Sequence, residues 1–409
     1  MNPSSKLGNK EMHFDEEYQR LKENSIICVQ AFFREHGPFS GDESIEHREL
    51  AKQVPKKGYR FRYIVHKYFV NVSLDLARIP KLRYLITVPQ FIFFKKYDPR
   101  YKRLIATYLP KFKEEINQFS NANPWFELNE EALTQIIKVV YACLLAQFIR
   151  QPFFRRAQHW KDLDDTFYYG IQLGLMYLIS DSFLDDINET EENKSKFNAF
   201  GLKLLAGQSL ENSTPHPSFE AIFFLFKQME RKMPFFENED RYKHLYFLQK
   251  VQYEEGRFKA LHNDLDSIEH KIALIGLKTF LSFLVMLPPD ARNVDLLVKK
   301  AFLFSLYTQM DDDMRDVWED QQNGIQTLFS APLQSELFNE HLFMLRIIQT
   351  LLAGNPRMRW MYQDYWNHIH RKPGQDSMDK EKIRIFIKKV VEKDIDEIGS
   401  FVSKLWPKN

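Results

Sequence analysis

Cysteine is nearly missing from this chain. Cys28 and Cys143 are its whole complement, and they stand at no metal-ligand spacing. Both a disulfide framework and a structural zinc site are disfavoured, and a cytoplasmic location or the cytosolic face of a membrane is expected. Glycine is scarce as well, at 14 of 409 residues. No segment alternates apolar and polar residues between hairpin turns, so sheet is not expected. Long apolar runs are also lacking. The longest, Ile272 to Leu287, carries Lys278 and stops at Pro288-Pro289, so it reads as a buried helix rather than a membrane span. The opening Met-Asn-Pro-Ser-Ser-Lys is polar and has no apolar signal core. A net charge of +2 points to no particular partner.

What is present is apolar, aromatic and helical. Hydrophobic residues make up 44% of the chain, enough to bury a sizeable core. Phenylalanine accounts for 36 residues. A Phe-rich background and an aromatic-lined cavity both explain that excess, and composition alone favours the first. Prolines fall mostly at boundaries (Pro124, Pro152, Pro215, Pro217, Pro234, Pro288, Pro332, Pro356), and between them apolar residues recur at helical spacing. The expected architecture is all-α: a single large bundle of long helices over residues 125–409, preceded by an N-terminal helical extension over 1–124. That extension is polar and partly loose to about residue 55, then basic and aromatic. From Lys56 to Lys113, only Asp75 and Asp98 oppose the lysines and arginines. Such a stretch suits peripheral contact with anionic lipid or the diphosphate end of a substrate, and a solvated basic face explains it equally well. No nucleic-acid signature accompanies it.

Two acidic segments carry the chemistry. In Tyr168 to Asn188, helical steps bring Gly170, Gly174, Tyr177, Asp181 and Asp185 onto one stripe, with Asp186 alongside. Carboxylates at i and i+4 can bridge a hard cation such as Mg²⁺. The glycines would leave space below them, faced by the Tyr177 ring. Acids at a helix C-terminus oppose the macrodipole, which favours a cation there. An ordinary amphipathic helix with a polar last turn is the plain alternative, and this segment alone does not decide between them.

In Ala301 to Gly324, Asp312, Asp316 and Asp320 form a column at i, i+4 and i+8, flanked by Asp313 and Glu319. Upstream lie Phe302, Phe304, Leu306 and Tyr307, so the acids continue a buried helix, a costly arrangement unless their charge is neutralised. Arg315 can pair with Asp311 or Glu319, as in a surface salt-bridge lattice, and this leaves the 312/316/320 column unpaired. The two columns together are more specific than either, because facing each other across a bundle they would hold a metal cluster.

Asp181-Ser182-Phe183-Leu184-Asp185 resembles the DDxxD motif of the class I isoprenoid synthases, with serine in place of the second aspartate. The second segment is similar to three spellings found in that superfamily. As the cyclase metal triad it is Asp312, Asp316 and Asp320; as QxxDDxxD it is Gln309, Asp312, Asp313 and Asp316; as RDxxED it begins at Arg315. Gly276-Leu277-Lys278-Thr279 looks like the Lys-Thr of chain-elongating enzymes. The resemblance covers about residues 125–400 and implies a helical bundle around a central cavity. It further implies three Mg²⁺ ions, replaceable by Mn²⁺, on Asp181, Asp185, Asp186, Asp312, Asp316 and Asp320. Lys278, Arg257 and Arg315 would bind the diphosphate of a prenyl substrate, and Tyr177, Phe183, Phe280, Phe283, Phe304 and Tyr307 would line the pocket. Plain alternatives stand beside these assignments: a snorkelling lysine, a surface arginine, and aromatic residues that are simply core.

Departures choose among the branches. Where elongating enzymes carry an Arg-Arg pair, this chain runs Asn188-Glu189-Thr190-Glu191-Glu192-Asn193; where they carry Gly-Lys-x-Thr, it has Gly324-Ile325-Gln326-Thr327. Both losses weaken condensation with isopentenyl diphosphate, whereas ionising a single substrate needs neither. A terpene cyclase is the leading expectation. A prenyltransferase is the alternative, and a non-catalytic helical scaffold at a membrane surface the third. A homodimer is ordinary for such a fold.

Overall fold

Prolines at the boundaries and apolar residues at helical spacing between them build one kind of element. The computed structural model of the protein describes residues 3–40, 43–53, 99–143 (without 130–131, 134, 138 and 141), 160–208 (without 187), 216–257, 265–286, 294–323, 327–330, 338–354 and 360–369. The basic stretch 56–98, Gly324 to Gln326 and the side chain of Arg257 lie outside the described residues. Among the described residues there are eleven α-helices: α1 (Pro3–His36), α2 (Ser44–Gln53), α3 (Pro99–Ala122), α4 (Trp160–Asp185), α5 (Glu191–Leu205), α6 (Pro217–Lys232), α7 (Glu239–Arg257), α8 (Leu265–Met286), α9 (Val294–Asn323), α10 (Glu340–Gly354) and α11 (Trp360–Ile369). The all-α expectation holds for these residues, where the one β-type pairing is an isolated bridge between Phe39 and Phe338. No described helix is long and apolar enough to cross a membrane.

Helix starts follow local chemistry. Thr190 caps α5 by accepting the Asn193 N–H at 3.1 Å, which satisfies one of the orphan donors of the first turn. Pro217 occupies the first position of α6, where its missing N–H costs nothing. Behind it the His216 ring caps the helix, Nδ1 accepting from the Ser218 N–H at 3.2 Å.

The chain forms two compact units. One holds α1, α2, α8–α11 and α7 from Tyr242 onward; the other holds α3–α6. In the first unit α1 lies along α9, and α9 also meets α10 and α11. The N-terminal region is therefore less loose than its composition suggests. Phe14, Tyr18, Leu21, Ser25, Val29 and Phe32 form a buried seam at three- and four-residue steps, and one such seam is enough to dock a polar helix. Phe32, Phe33, Phe39, Phe338 and Phe343 then stack into one cluster, with ring centroids 4.8 to 6.4 Å apart. Part of the phenylalanine excess is therefore core.

In the second unit α6 packs on α4, α5 and α3. Here the structure overturns one expectation. Gly170 and Gly174 do not open space for a ligand, because a Cβ on Gly170 would sit 2.8 Å from the Val140 Cα and one on Gly174 would sit 3.0 Å from the Ile136 Cα. The glycines let another stretch of backbone close onto α4. Gly170→Ala should therefore cost about 1–3 kcal/mol in urea unfolding, the strain outweighing the better helix propensity of alanine. At Gly256, where nothing lies within 4 Å, the same change should stabilise by about 0.5–1 kcal/mol.

Candidate active site

The acidic half of α9 begins where the helix is still inside the protein. Asp311 and Asp313 are 4% and 7% exposed, Asp312 is exposed, and Asp316 and Asp320 are half-buried. Arg315 turns back one helical step to pair with Asp311, the first of the two partners its spacing allowed. Burial works against the Arg315 charge, but Asp311 and Asp312 outweigh it and raise its pKa.

Asp313 is held from the other side. Gln309 Nε2 donates to Asp313 Oδ1 at 2.7 Å, and Gln309 Oε1 accepts from the Thr279 hydroxyl of α8 at 2.9 Å. Burial pushes the Asp313 pKa up to about 7, helped by the charges of Glu255 and Asp312 and opposed by the Gln309 bond and Lys278. Gly276 sets the approach of α8 below this point: a Cβ there would fall 2.6 Å from the Phe302 ring. The Gly-Leu-Lys-Thr stretch of α8 and the Gln309-to-Asp313 turn of α9 are thus brought together.

Lys278 meets a residue that sequence reasoning passed over. Its Nζ lies 3.3 Å from Glu255 Oε2, near the end of α7. Lys271 Nζ reaches Glu255 Oε1 at 2.6 Å and the Glu255 carbonyl at 3.3 Å. Burial opposes ionisation of Glu255, yet Lys278 and Lys271 together prevail and bring its pKa down to about 2. The legible signal was the seven-residue spacing of the two lysines, which puts them on one face of α8.

The remaining predicted residues are distributed unevenly. Phe280 and Tyr307 are buried, and the Tyr307 hydroxyl donates to the Met361 carbonyl at 3.2 Å. Phe283 and Phe304 are half-buried and stack at 6.2 Å. Tyr177, Phe183, Asp181, Asp185 and Asp186 belong to the other unit. There Phe183 is buried against Phe197 at 4.5 Å and His216 at 4.9 Å, and Tyr177 and Asp181 are half-buried while Asp185 is exposed. Asp186 Oδ1 accepts the Asn188 N–H at 2.8 Å, closing the turn after α4. The acidic run Asn188 to Asn193 has its own work: Thr190 starts α5, and Glu189 accepts from Asn193 and meets His216 Nε2 at 3.2 Å.

Carboxylate oxygens are the donors that Mg²⁺ takes. Among the described residues, however, no three His, Cys, Asp or Glu side chains converge as a metal site. Nor is the 312/316/320 column a row of unpaired acids, because each of its members already takes part in an interaction. A surface cleft along α1, bordered by Glu11, Asp15, Arg20 and Glu23, contains none of the predicted residues. Searches of protein-family models, curated proteins and solved structures find no match to the chain.

The Glu255 cluster sets a pH dependence. A folded pKa lowered from 4.5 to about 2 contributes stability that is present above pH 4.5 and lost as pH falls through 2. The shift corresponds to about 3 kcal/mol. Glu255→Gln should lower stability near neutral pH by that order and flatten the acid limb of a stability–pH profile below pH 4.5.

Proposed function

We propose that this chain is a Mg²⁺-dependent class I terpene synthase, which ionises a linear prenyl diphosphate and turns the carbocation into a terpene hydrocarbon or alcohol. The observation that carries the reading is the junction of α8 and α9. Lys278 and Thr279 stand beside Gln309 and Asp313, and on the same helix the carboxylates of Asp312, Asp316 and Asp320 continue away from a buried aromatic segment.

In this reading Lys278 receives the diphosphate, with Arg257 and Arg315 as further cations. Thr279 and Gln309 fix the side of α9 that carries Asp313. Asp312, Asp316 and Asp320 on α9 and, taken separately, Asp181, Asp185 and Asp186 at the end of α4 are the residues that would hold Mg²⁺. Bound there, the metal would neutralise the charge that develops on the leaving diphosphate. Phe283 and Phe304 offer ring faces that stabilise a carbocation by cation–π attraction. The basic stretch 56–113 fits the cytosolic surface of a membrane, where prenyl substrates partition.

A second reading is a prenyltransferase. One observation favours it: the bonded chain from Thr279 through Gln309 to Asp313 joins the Lys-Thr element to the Gln-x-x-Asp-Asp-x-x-Asp spelling. Against it, the segment that would grip a second diphosphate is acidic and is occupied in starting α5.

The test is incubation with Mg²⁺ and geranyl, farnesyl, geranylgeranyl or geranylfarnesyl diphosphate, each with and without isopentenyl diphosphate, followed by mass analysis. A hydrocarbon or alcohol from one substrate alone is the expected product. A longer diphosphate formed only with isopentenyl diphosphate would move the assignment to the prenyltransferase. Absence of product in every arm would leave a non-catalytic scaffold. Asp312→Ala and Asp181→Ala should each lower turnover by a hundredfold or more, on the order expected when a metal carboxylate is removed. Full turnover by either variant would remove its aspartate from the proposed metal set.

A further inference from the structure

Glu255 accepts from two lysines, and it does not hold them equally. Lys271 is anchored at both ends of its reach, 2.6 Å from one carboxylate oxygen and 3.3 Å from the Glu255 carbonyl, with its side chain 6% exposed. Lys278 meets the other oxygen at 3.3 Å and is 24% exposed. Charge-assisted N–H···O bonds run near 2.7–2.9 Å. By that measure Lys271 makes the strong bond and Lys278 the weak one.

The asymmetry matters because Glu255 is itself largely withdrawn from water, at 17% side-chain exposure. A carboxylate in that position is costly to strip of its last cation, so one lysine can leave it only while the other stays. Lys278 can therefore leave Glu255 without stranding a buried charge, because Lys271 stays. It is also the lysine whose charge reaches Asp313, at the start of the acidic column. Lys271 is deeper and doubly bonded.

We infer that Glu255 is a positioning residue that holds Lys278 in a resting pose and yields it to the incoming substrate diphosphate, while Lys271 keeps the Glu255 charge compensated throughout. The inference rests on the proposed diphosphate chemistry and adds a regulation of its affinity. Glu255 competes with the ligand for the lysine, so part of the binding energy is spent on breaking the 3.3 Å contact. In return the ammonium is aimed before the substrate arrives, at the junction of α8 and α9.

Calorimetric titration with inorganic diphosphate in excess Mg²⁺ tests this without requiring turnover. Lys278→Met should weaken binding about tenfold, the loss of one charge-assisted contact. Glu255→Gln should tighten it about five- to tenfold, the competitor having been removed. That gain should come even though the variant is less stable, so damage to the fold cannot produce it. In the Lys278→Met background the effect of Glu255→Gln should vanish, because it acts through that ammonium. Diphosphate binding by the parent that is unchanged or weakened in Glu255→Gln overturns the inference and leaves the proposed function standing. Tightening that persists undiminished without Lys278 overturns it too, since the effect is then long-range charge. A parent protein that binds no diphosphate sinks both readings.

Discussion

Asp311 and Asp313 leave water at the point where α9 turns from apolar to acidic, and each is met by a partner on the same helix. Arg315 pairs with Asp311 from one turn below, and Gln309 donates to Asp313 from one turn above. Without those bonds, two carboxylates withdrawn from water would lose partners that offset their desolvation. Thr279 then ties Gln309 to α8, and Lys278, one residue earlier, compensates both Asp313 and Glu255. The position of α8 against α9 and the end of α7 thus depend on how a few carboxylates are neutralised. Hydrophobic burial places the helices, while these polar contacts fix which residues of each come together.

The same logic gives the two lysines of α8 different duties. Both sit in a helix whose sequence reads as buried, and both meet Glu255. Lys271 is a structural counter-ion whose partner includes the last turn of α7, where a cation also suits the exposed carbonyls of a helix C-terminus. Lys278 is more open and stands farther from the Glu255 carboxylate.

Much of this was legible in the sequence, and what was not has a common cause. Helical class followed from where the prolines fall, and the Arg315–Asp311 pair followed from i, i+4 spacing, because both are local properties. Phe183, Phe280 and Tyr307, read as either core or pocket lining, are buried. Gly170 and Gly174 misled because their partners, Val140 and Ile136, lie 30 and 38 residues away, and no periodicity announces a backbone arriving from elsewhere. Glu255 was missed for the same reason: nothing in Tyr253-Glu254-Glu255-Gly256-Arg257 says which glutamate faces two lysines of the next helix. The seam of α1 was hidden by a polar average, which a single apolar stripe barely moves.

The cap at the start of α6 also fixes a proton. Ser218 N–H can donate to His216 Nδ1 only if that nitrogen carries a lone pair. In the neutral ring the hydrogen must then reside on Nε2, where it points at the Glu189 carboxylate 3.2 Å away. The imidazole is therefore held in a single tautomer, polarised from a helix start on one side to an acidic turn on the other. Its ring nitrogens should give two separate ¹⁵N resonances, a spectroscopic signature of the α4–α5 turn that is independent of any ligand.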